Sequence, residues 1–244
     1  DGVVCLTKKL AGKRGEIVLM VIEGVLDPET AECYRQRLER DADWQPGAMT
    51  AGSQAIQVKS NDQVVDGSEV AVAVGNSLLK VLGSHPLFMS AALPKKIFPP
   101  KFNRYQHGGH YGSHVDGAIM HLPDGQVMRT DLSATLFFSS PDSYEGGELA
   151  IETRYGVQEV KLAAGDMVLY PSTSLHEVHP VTVGARLCSF FWIESLVRDS
   201  GQREILFDLD QSIQALTVAR GSRDGEVRRL SGVYHNLIRR WADS

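Results

Sequence analysis

The stretch from residue 101 to about residue 195 constrains the fold more than any other part of the chain. Apolar and polar residues alternate there with a period of two, which is typical of β-strands that bury one face. The alternating segments are residues 130–139, 148–153, 157–162, 166–170 and 185–193. Turn residues separate them, including Gly146-Gly147 and Val183-Gly184. Several short strands at nearly even spacing predict an antiparallel sandwich or jelly roll.

Segments in which apolar residues recur at helical spacing lie on both sides of this zone. Asp27 followed by Pro28 is typical of a helix start, and we expect the first helix to end near Arg40. Its buried residues should be Cys33, Tyr34 and Leu38. A second helix is predicted over about residues 68–82, and apolar stripes predict helices over residues 198–244. The expected fold class is mainly β with α: a jelly-roll core, N-terminal helices and a C-terminal helical appendage.

The chain divides into three parts on this pattern. Residues 1–19 contain glycine and lysine with little periodicity, and we expect a flexible extension there. A domain over residues 20–197, with its jelly-roll core at about 101–195, and a helical subdomain over residues 198–244 should follow. Apolar helices in the last part could form the face of a homodimer.

Composition and charge exclude several classes of protein. The formal net charge is −5 without a basic stripe, so no dedicated nucleic-acid surface is expected. Three widely spaced cysteines argue against a disulfide framework. The apolar run at residues 17–22 is shorter than the core of a signal peptide, roughly 7–15 residues, and far shorter than a membrane helix, about 20 residues. We therefore expect a cytoplasmic protein without a membrane partner.

Histidines concentrate where the strands begin. On a strand, residues two apart point to the same face, so His114 and Asp116 should present an imidazole and a carboxylate together. A third ligand from a distant strand would complete a facial triad that leaves iron(II) positions open. His176 and His179 are the later histidines of the β zone, and only one can be that ligand because residues three apart on a strand face opposite ways. An HxD pair alone is a weak signal, because such pairs occur often by chance or for structural reasons.

Arg186 directly precedes the apolar segment of residues 187–193. A guanidinium at the mouth of a buried strand needs an anionic partner. Either a bound carboxylate or an internal salt bridge with Glu148 or Asp166 would provide one. The offset from His176 fits a short turn at Val183-Gly184 that returns Arg186 to the side of the metal.

These residues carry a family resemblance. The pattern Tyr105…His114-x-Asp116…His176…Arg186 resembles the iron(II)- and 2-oxoglutarate-dependent dioxygenases of the prolyl-4-hydroxylase type. From about Val21 to the C-terminus the chain resembles more specifically the bacterial PKHD-type hydroxylases, a branch associated with iron uptake. The stretches that carry the likeness are residues 102–106, 111–117, 129–137 and 170–176.

The resemblance implies a double-stranded β-helix and a site. His114, Asp116 and His176 would be the catalytic iron ligands, and Arg186 would bind the distal carboxylate of 2-oxoglutarate. Where better-studied prolyl hydroxylases use a strand tyrosine for that carboxylate, this chain has Leu136-Phe137-Phe138. The helper of Arg186 would then come from a small set: Tyr105, Tyr111, Ser133 or Thr135. Trp192 should face the same side as Arg186, where it either walls the cosubstrate pocket or packs in the core.

The implied activity is hydroxylation of a C–H bond with release of succinate and CO2. The implied cofactors are Fe(2+), 2-oxoglutarate and O2, with L-ascorbate keeping the iron reduced. The substrate is left open between a peptide, an amino acid and a siderophore-like small molecule. A rival hypothesis is a non-catalytic iron or 2-oxoglutarate sensor on the same fold. His107, His110 and His121 are expected at the mouth of the site, and His85 and His235 in structural roles.

Overall fold

The computed structural model describes residues 19–50 and 58–243, in which five helices accompany sixteen strands. The helices are α1 (Pro28–Asp41), α2 (Glu69–Ser84), α3 (Pro86–Ala92), α4 (Ser200–Arg220) and α5 (Gly225–Trp241). The strands are β1 (Met20–Ile22), β2 (Trp44–Pro46), β3 (Lys59–Ser60), β4 (Asp62–Val64), β5 (Pro94–Ile97), β6 (Lys101–Gln106), β7 (His110–His114), β8 (Ile119–His121), β9 (Val127–Arg129), β10 (Leu132–Phe137), β11 (Tyr144–Gly146), β12 (Leu149–Thr153), β13 (Gly156–Val160), β14 (Met167–Pro171), β15 (His176–Val178) and β16 (Val181–Ser195). Of the expected extension over residues 1–19, all but the buried Leu19 lies outside the described residues.

The strands form a larger and a smaller antiparallel sheet. The larger sheet has the order β1-β14-β10-β16-β6-β4-β2, with β5 and β11 also paired to β16. The smaller sheet has the order β13-β12-β15-β7-β3, and β8 and β9 form a separate hairpin. The predicted jelly-roll core with N-terminal and C-terminal helices is therefore confirmed.

Alternation along the strands of the larger sheet creates two apolar layers. On β16, Leu187 and Phe191 face the helices, and they share one core cluster with Leu38 of α1 and Leu78 of α2. Cys188, on the other face of β16, belongs to a second cluster between the two sheets. The larger sheet is thus covered on both faces, and alternate residues of β16 enter different apolar layers.

Side-chain caps fix where the helices begin. Asp27 accepts a hydrogen bond from the Thr30 amide (2.7 Å) ahead of Pro28, as the sequence predicted. The residues that α1 buries were predicted less well, because Cys33 is exposed. It lies off the stripe that Ala31, Tyr34 and Leu38 form at helical spacing. No helix among the described residues is long and apolar enough to cross a bilayer.

The two C-terminal helices pack against α3 and the end of β16. Asp210 of α4 accepts a hydrogen bond from Ser90 of α3 (2.6 Å). Arg203 donates to the backbone carbonyls of Val197 (2.8 Å) and Arg198 (2.7 Å), just beyond β16. A small apolar cluster closes the interface; it includes Leu93, Val197, Leu206, Tyr234, Leu237, Ile238 and Trp241.

The expected turn at Val183-Gly184 is wrong, because β16 runs without a break from Val181 to Ser195. The chain passes from the smaller sheet to the larger one earlier, between β15 and β16, at His179 and Pro180. Gly184 has a φ of +72° and lies opposite Tyr144 of β11. The glycine therefore marks a close approach between two strands, and not a reversal of the chain.

Replacing Gly184 by alanine should destabilise the fold for two reasons. Its φ of +72° disfavours any side chain, and a Cβ atom there would lie 2.2 Å from the Ser143 carbonyl oxygen. Gly67 is a matched control, since its φ is +77° and nothing lies within 4 Å of a Cβ atom. We expect Gly67→Ala to cost about 1–2 kcal/mol and Gly184→Ala clearly more, measured by urea unfolding. Equal losses would contradict the steric part of this account.

Candidate metal centre

Two histidines face each other across the smaller sheet. His114 ends β7 and is the register partner of His176 on β15, with ring centroids 4.3 Å apart. Asp116 lies close to both: its carboxylate oxygens are 3.9 Å from His114 Nε2 and 3.8 Å from His176 Nε2. One ligand atom from each residue lies within 4.8 Å of the other two. The structure thus brings together the three predicted ligands.

The geometric reason given for Asp116 was wrong, however. Strand β7 ends at His114, so Asp116 lies in the following loop and not on the same strand face. Ser133 of β10 holds it there by donating a hydrogen bond from Oγ to Asp116 Oδ2 (2.6 Å). Ser133 is also bonded to Ser172 (2.8 Å). The carboxylate is therefore positioned by the larger sheet and the imidazoles by the smaller one.

Backbone carbonyls orient both imidazoles. The Nδ1 atom of His114 lies 2.8 Å from the Gly112 carbonyl oxygen, and that of His176 lies 3.0 Å from the Ser174 carbonyl oxygen. A proton on Nδ1 leaves the Nε2 lone pair of each ring free to bind a metal. Burial, and then the neighbouring His176, lower the pKa of His114 to about 4, so this ring is neutral at pH 7. Neutral imidazole is the form that binds metals.

A register shift between β7 and β15 brings the aromatic ring of Tyr111 next to the His114 imidazole. The register between β7 and β15 shifts between His114 and Tyr111, which lets residues three apart face the same way. The Tyr111 ring stacks on the His114 ring, with centroids 3.6 Å apart. This contact restrains the imidazole.

The donor set fits iron(II). Two imidazole nitrogens and one carboxylate are the donors of non-haem iron(II) sites, and they would leave positions open for other ligands. The centre lies in a cavity of about 450 Å³ between the two sheets, which also contains Arg186. This volume lies within the range of small-molecule sites.

Arg186 is buried in this cavity without a carboxylate partner. It is 1% exposed, and no Asp or Glu of the described residues forms an ion pair with it. Its Nη1 atom donates to Cys188 Sγ (3.0 Å), and its Nε atom has no partner in the described part of the chain. Glu148 pairs instead with Lys161 (3.8 Å), and Asp166 accepts from the Gly24 amide (2.7 Å). A buried guanidinium in this state is suited to a carboxylate that a ligand brings.

Aromatic residues line the cavity near Arg186. Its guanidinium carbon lies 5.2 Å from the Tyr105 ring centroid. Burial raises the pKa of Tyr105 well above its usual value, so the phenol stays protonated and can donate. Trp192 lies on the same face of β16 and makes edge-to-face contacts with Phe98 (5.4 Å) and Phe190 (5.5 Å). Both Tyr105 and Trp192 line the cavity, as do Tyr111, Ser133 and Thr135.

The other six histidines are not among the residues that line the cavity. His179 is at the surface between Glu148 (3.7 Å) and Glu177 (3.4 Å). His85 caps α3 by accepting from the Phe88 amide (3.3 Å), a structural role. Neither residue lines the cavity, and nor do the remaining four, which are His107, His110, His121 and His235.

Sequence reasoning missed two residues, Lys59 and Tyr144. Lys59 of β3 is 9% exposed and lines the cavity. Tyr144 is buried beside Arg186, and burial raises its pKa to about 12. Both sit in short strands without a periodic pattern. A lysine amid polar residues gives no sign in the sequence that its ammonium will be buried.

Comparisons with known proteins agree with the fold and the site. Residues 100–194 match the family model of the 2OG-Fe(II) oxygenase superfamily, and residues 200–243 match that of the PKHD-type hydroxylase C-terminal domain. A PKHD-type hydroxylase of Pseudoalteromonas atlantica is 58% identical over 226 residues, covering 92% of this chain and 99% of the relative. One from Acidovorax ebreus is equally similar, with the same identity and coverage.

Solved structures share the fold at low identity. A 2OG-Fe(II) oxygenase family oxidoreductase from Burkholderia pseudomallei superposes with a TM-score of 0.50 at 16% identity, covering 76% of this chain and 87% of that one. HygX from Streptomyces hygroscopicus, solved with nickel and 2-oxoglutarate bound, gives 0.50 at 16% identity, with 73% and 83% coverage. These likenesses concern the fold alone.

Fold, site and family model together define a 2OG-Fe(II) oxygenase, a class of enzyme whose reactions require Fe(2+), 2-oxoglutarate and O2. Within this class, the chain belongs to the PKHD-type hydroxylases.

Removing the Ser133 hydroxyl should weaken metal binding. Ser133→Ala deletes the hydrogen bond that fixes Asp116, and outer-shell partners of this kind typically contribute about 10–100-fold in metal affinity. Ser172→Ala is the matched control, because Ser172 bonds to Ser133 (2.8 Å) and not to Asp116. Calorimetric titration with Mn(II) measures both variants. An unchanged affinity in Ser133→Ala would show that Asp116 needs no such support.

Proposed function

We propose that this hydroxylase holds Fe(2+) with His114, Asp116 and His176, and that Arg186 binds the distal carboxylate of 2-oxoglutarate. One observation carries the proposal: a two-histidine, one-carboxylate cluster shares one cavity with a buried guanidinium that has no acidic partner among the described residues. The net reaction consumes 2-oxoglutarate, O2 and a C–H bond of the substrate. It yields succinate, CO2 and the hydroxylated product.

Each residue of the chain has a definite task in this reaction. The metal, when bound, supplies the redox chemistry of O2 activation. The Nε2 atoms of His114 and His176 and the Asp116 carboxylate hold it on one side and leave the cavity side open. Arg186 orients the cosubstrate through its planar pair of donors. Tyr105 helps Arg186 as a buried donor, and Trp192 walls the cavity against water.

The substrate is a peptide, an amino acid or a siderophore-like molecule, and a link to iron uptake follows from the resemblance. A prolyl hydroxylase from Trichoplax adhaerens, in complex with a peptide fragment, superposes with a TM-score of 0.50 at 12% identity, covering 72% of this chain and 84% of that one. We further propose L-ascorbate as reductant of the iron, a cytoplasmic location and no nucleic-acid or membrane partner. We also propose that the chain divides into a domain over residues 20–197 and a helical subdomain over residues 198–244. A homodimer would form through the C-terminal helices.

The sensor alternative is less well supported. Detecting 2-oxoglutarate would not by itself require a complete metal triad beside the buried arginine. Curated relatives at 58% identity are named hydroxylases. Succinate release separates the two functions, because a sensor binds 2-oxoglutarate and forms none.

Asp116→Ala should abolish succinate formation. The change removes the anionic ligand, and two neutral imidazoles alone hold iron(II) poorly. Succinate formed from 2-oxoglutarate under air, with iron(II) and ascorbate, is the measurement. Asp124→Ala removes an exposed carboxylate in the β8–β9 loop and should leave the rate unchanged. Residual succinate in Asp116→Ala near the wild-type rate would refute the ligand assignment.

Arg186→Ala should weaken 2-oxoglutarate binding and leave metal binding almost intact. Truncating one partner of a buried ion pair typically costs roughly 2–5 kcal/mol, or about 30- to 5,000-fold in affinity. Arg186→Lys should recover only part of the loss, because an ammonium cannot form the two parallel hydrogen bonds. Anaerobic titration of the iron-loaded protein measures this.

Arg104→Ala is the matched control for this titration. Arg104 lies on the neighbouring β6, but it pairs with Asp62 (2.9 Å) and does not line the cavity. Equal 2-oxoglutarate affinity in Arg186→Ala, Arg104→Ala and wild type would mean that Arg186 has only a structural role.

A further inference from the structure

Lys59 places a second positive charge in the cavity. The side chain comes from β3, at the edge of the smaller sheet, where Lys59 pairs with Tyr111 of β7. Its Nζ atom lies 5.2 Å from the Tyr111 ring centroid and 5.7 Å from the Phe190 ring centroid. The Tyr111 ring in turn stacks on His114. The ammonium therefore lies one aromatic ring away from the candidate metal centre.

No Asp or Glu of the described residues forms an ion pair with this ammonium, and Asp66 and Asp116 attract it only at longer range. Its one hydrogen bond among the described residues goes to a neutral acceptor, Gln63 Oε1, at 3.1 Å. Lys101, the neighbouring lysine of the cavity wall, pairs by contrast with Asp66. Burial lowers the pKa of Lys59 to about 8, so it remains mostly charged at neutral pH. A buried cation that keeps its charge without an anion is costly unless a ligand supplies the anion.

When the metal and 2-oxoglutarate are bound, the charges of the site balance without Lys59. On the proposed function, the iron(II) ion, the Asp116 carboxylate, the 2-oxoglutarate dianion and the Arg186 guanidinium are together neutral. Both carboxylates of 2-oxoglutarate are then engaged, one at the metal and one at Arg186. Lys59 is the cavity-lining charge that remains, apart from the paired Lys101. The loaded cavity thus has one positive charge for its remaining occupant.

We propose that Lys59 binds an anionic group of the primary substrate, a carboxylate, and so selects for acidic substrates. The inference rests on the proposed function and specifies its substrate class. The surroundings suit the rest of such a molecule, because the aromatic rings of Tyr111, Phe190 and Trp192 line the same cavity as the ammonium. A substrate with an anionic end and an apolar or aromatic body matches these walls.

A pair of probes that differ only in charge tests the proposal. The protein is loaded with Mn(II) and saturating 2-oxoglutarate, and 3-phenylpropanoate or its neutral amide is titrated in. Proton relaxation caused by Mn(II) reports probe molecules bound near the metal. Wild type should bind the acid about tenfold or more tightly than the amide, as for a hydrogen bond to a charged group. Lys59→Met should bind acid and amide alike, and Lys59→Arg should keep part of the preference.

Matched variants identify the charge responsible. Lys101→Met removes the lysine that already has an acidic partner and should leave the preference for the acid unchanged. Replacing a buried, unpaired ammonium by a side chain of similar length should not lower stability, which thermal unfolding checks. Lys59→Gln provides a second neutral variant should Lys59→Met fold poorly.

Several results would overturn the inference. Wild type could bind the acid and the amide equally, or it could fail to bind the acid. The preference for the acid could also survive in folded Lys59→Met and Lys59→Gln variants. A loss of preference in Lys101→Met would assign the anion site to Lys101. A loss of 2-oxoglutarate affinity in Lys59→Met as large as in Arg186→Ala would assign Lys59 to the cosubstrate.

The proposed function is assessed separately, before any probe is added. If Mn(II) and 2-oxoglutarate bind and succinate forms with iron(II), the proposed function stands even where the acid and the amide bind alike. If the protein binds neither Mn(II) nor 2-oxoglutarate, both proposals fall.

Discussion

The antiparallel register between β7 and β15 is the constraint on which the site depends. It places His114 directly opposite His176, although the two residues are far apart in the chain. Because side chains alternate along a strand, a slip by one residue would turn one imidazole out of the cavity. Strand β15 is only three residues long, so its register must be fixed by its neighbours. On its other side it pairs with β12, where Ile151 lies opposite His176.

The long strand β16 joins stability to function. Its alternate residues Leu187, Phe191 and Ile193 belong to the apolar cluster beneath the helices. The intervening Arg186, Cys188, Phe190 and Trp192 line the cavity. The helices and the larger sheet therefore stabilise the same backbone that holds the guanidinium in place. This arrangement explains why an arginine can be 1% exposed in a segment whose sequence is otherwise apolar.

The sequence predicts the features that depend on local pattern. The alternation within residues 101–195 indicated the jelly roll, and Asp27 with Pro28 indicated the start of α1. Features that depend on distant contacts could not be obtained this way. Asp116 reaches the histidines because Ser133, on another sheet, holds its loop, and the pattern had suggested a continuous strand. The turn expected at Val183-Gly184 was wrong because a glycine with positive φ can also mark strands in close contact.

Charge burial connects the parts of the site that the sequence pattern left unrelated. A cavity between two apolar sheet faces strengthens every electrostatic interaction within it, and it penalises every charge that lacks a partner. Within the part of the chain that the structure describes, Arg186 and Lys59 are both buried there without an acidic ion-pair partner, whereas Arg104 and Lys101 of β6 have one. If these two charges served only the stability of the fold, Asp or Glu side chains beside them would lower the cost of burying them. Their unpaired state instead fits a cavity whose anions arrive with its ligands, so that binding, and not folding, completes the electrostatic balance.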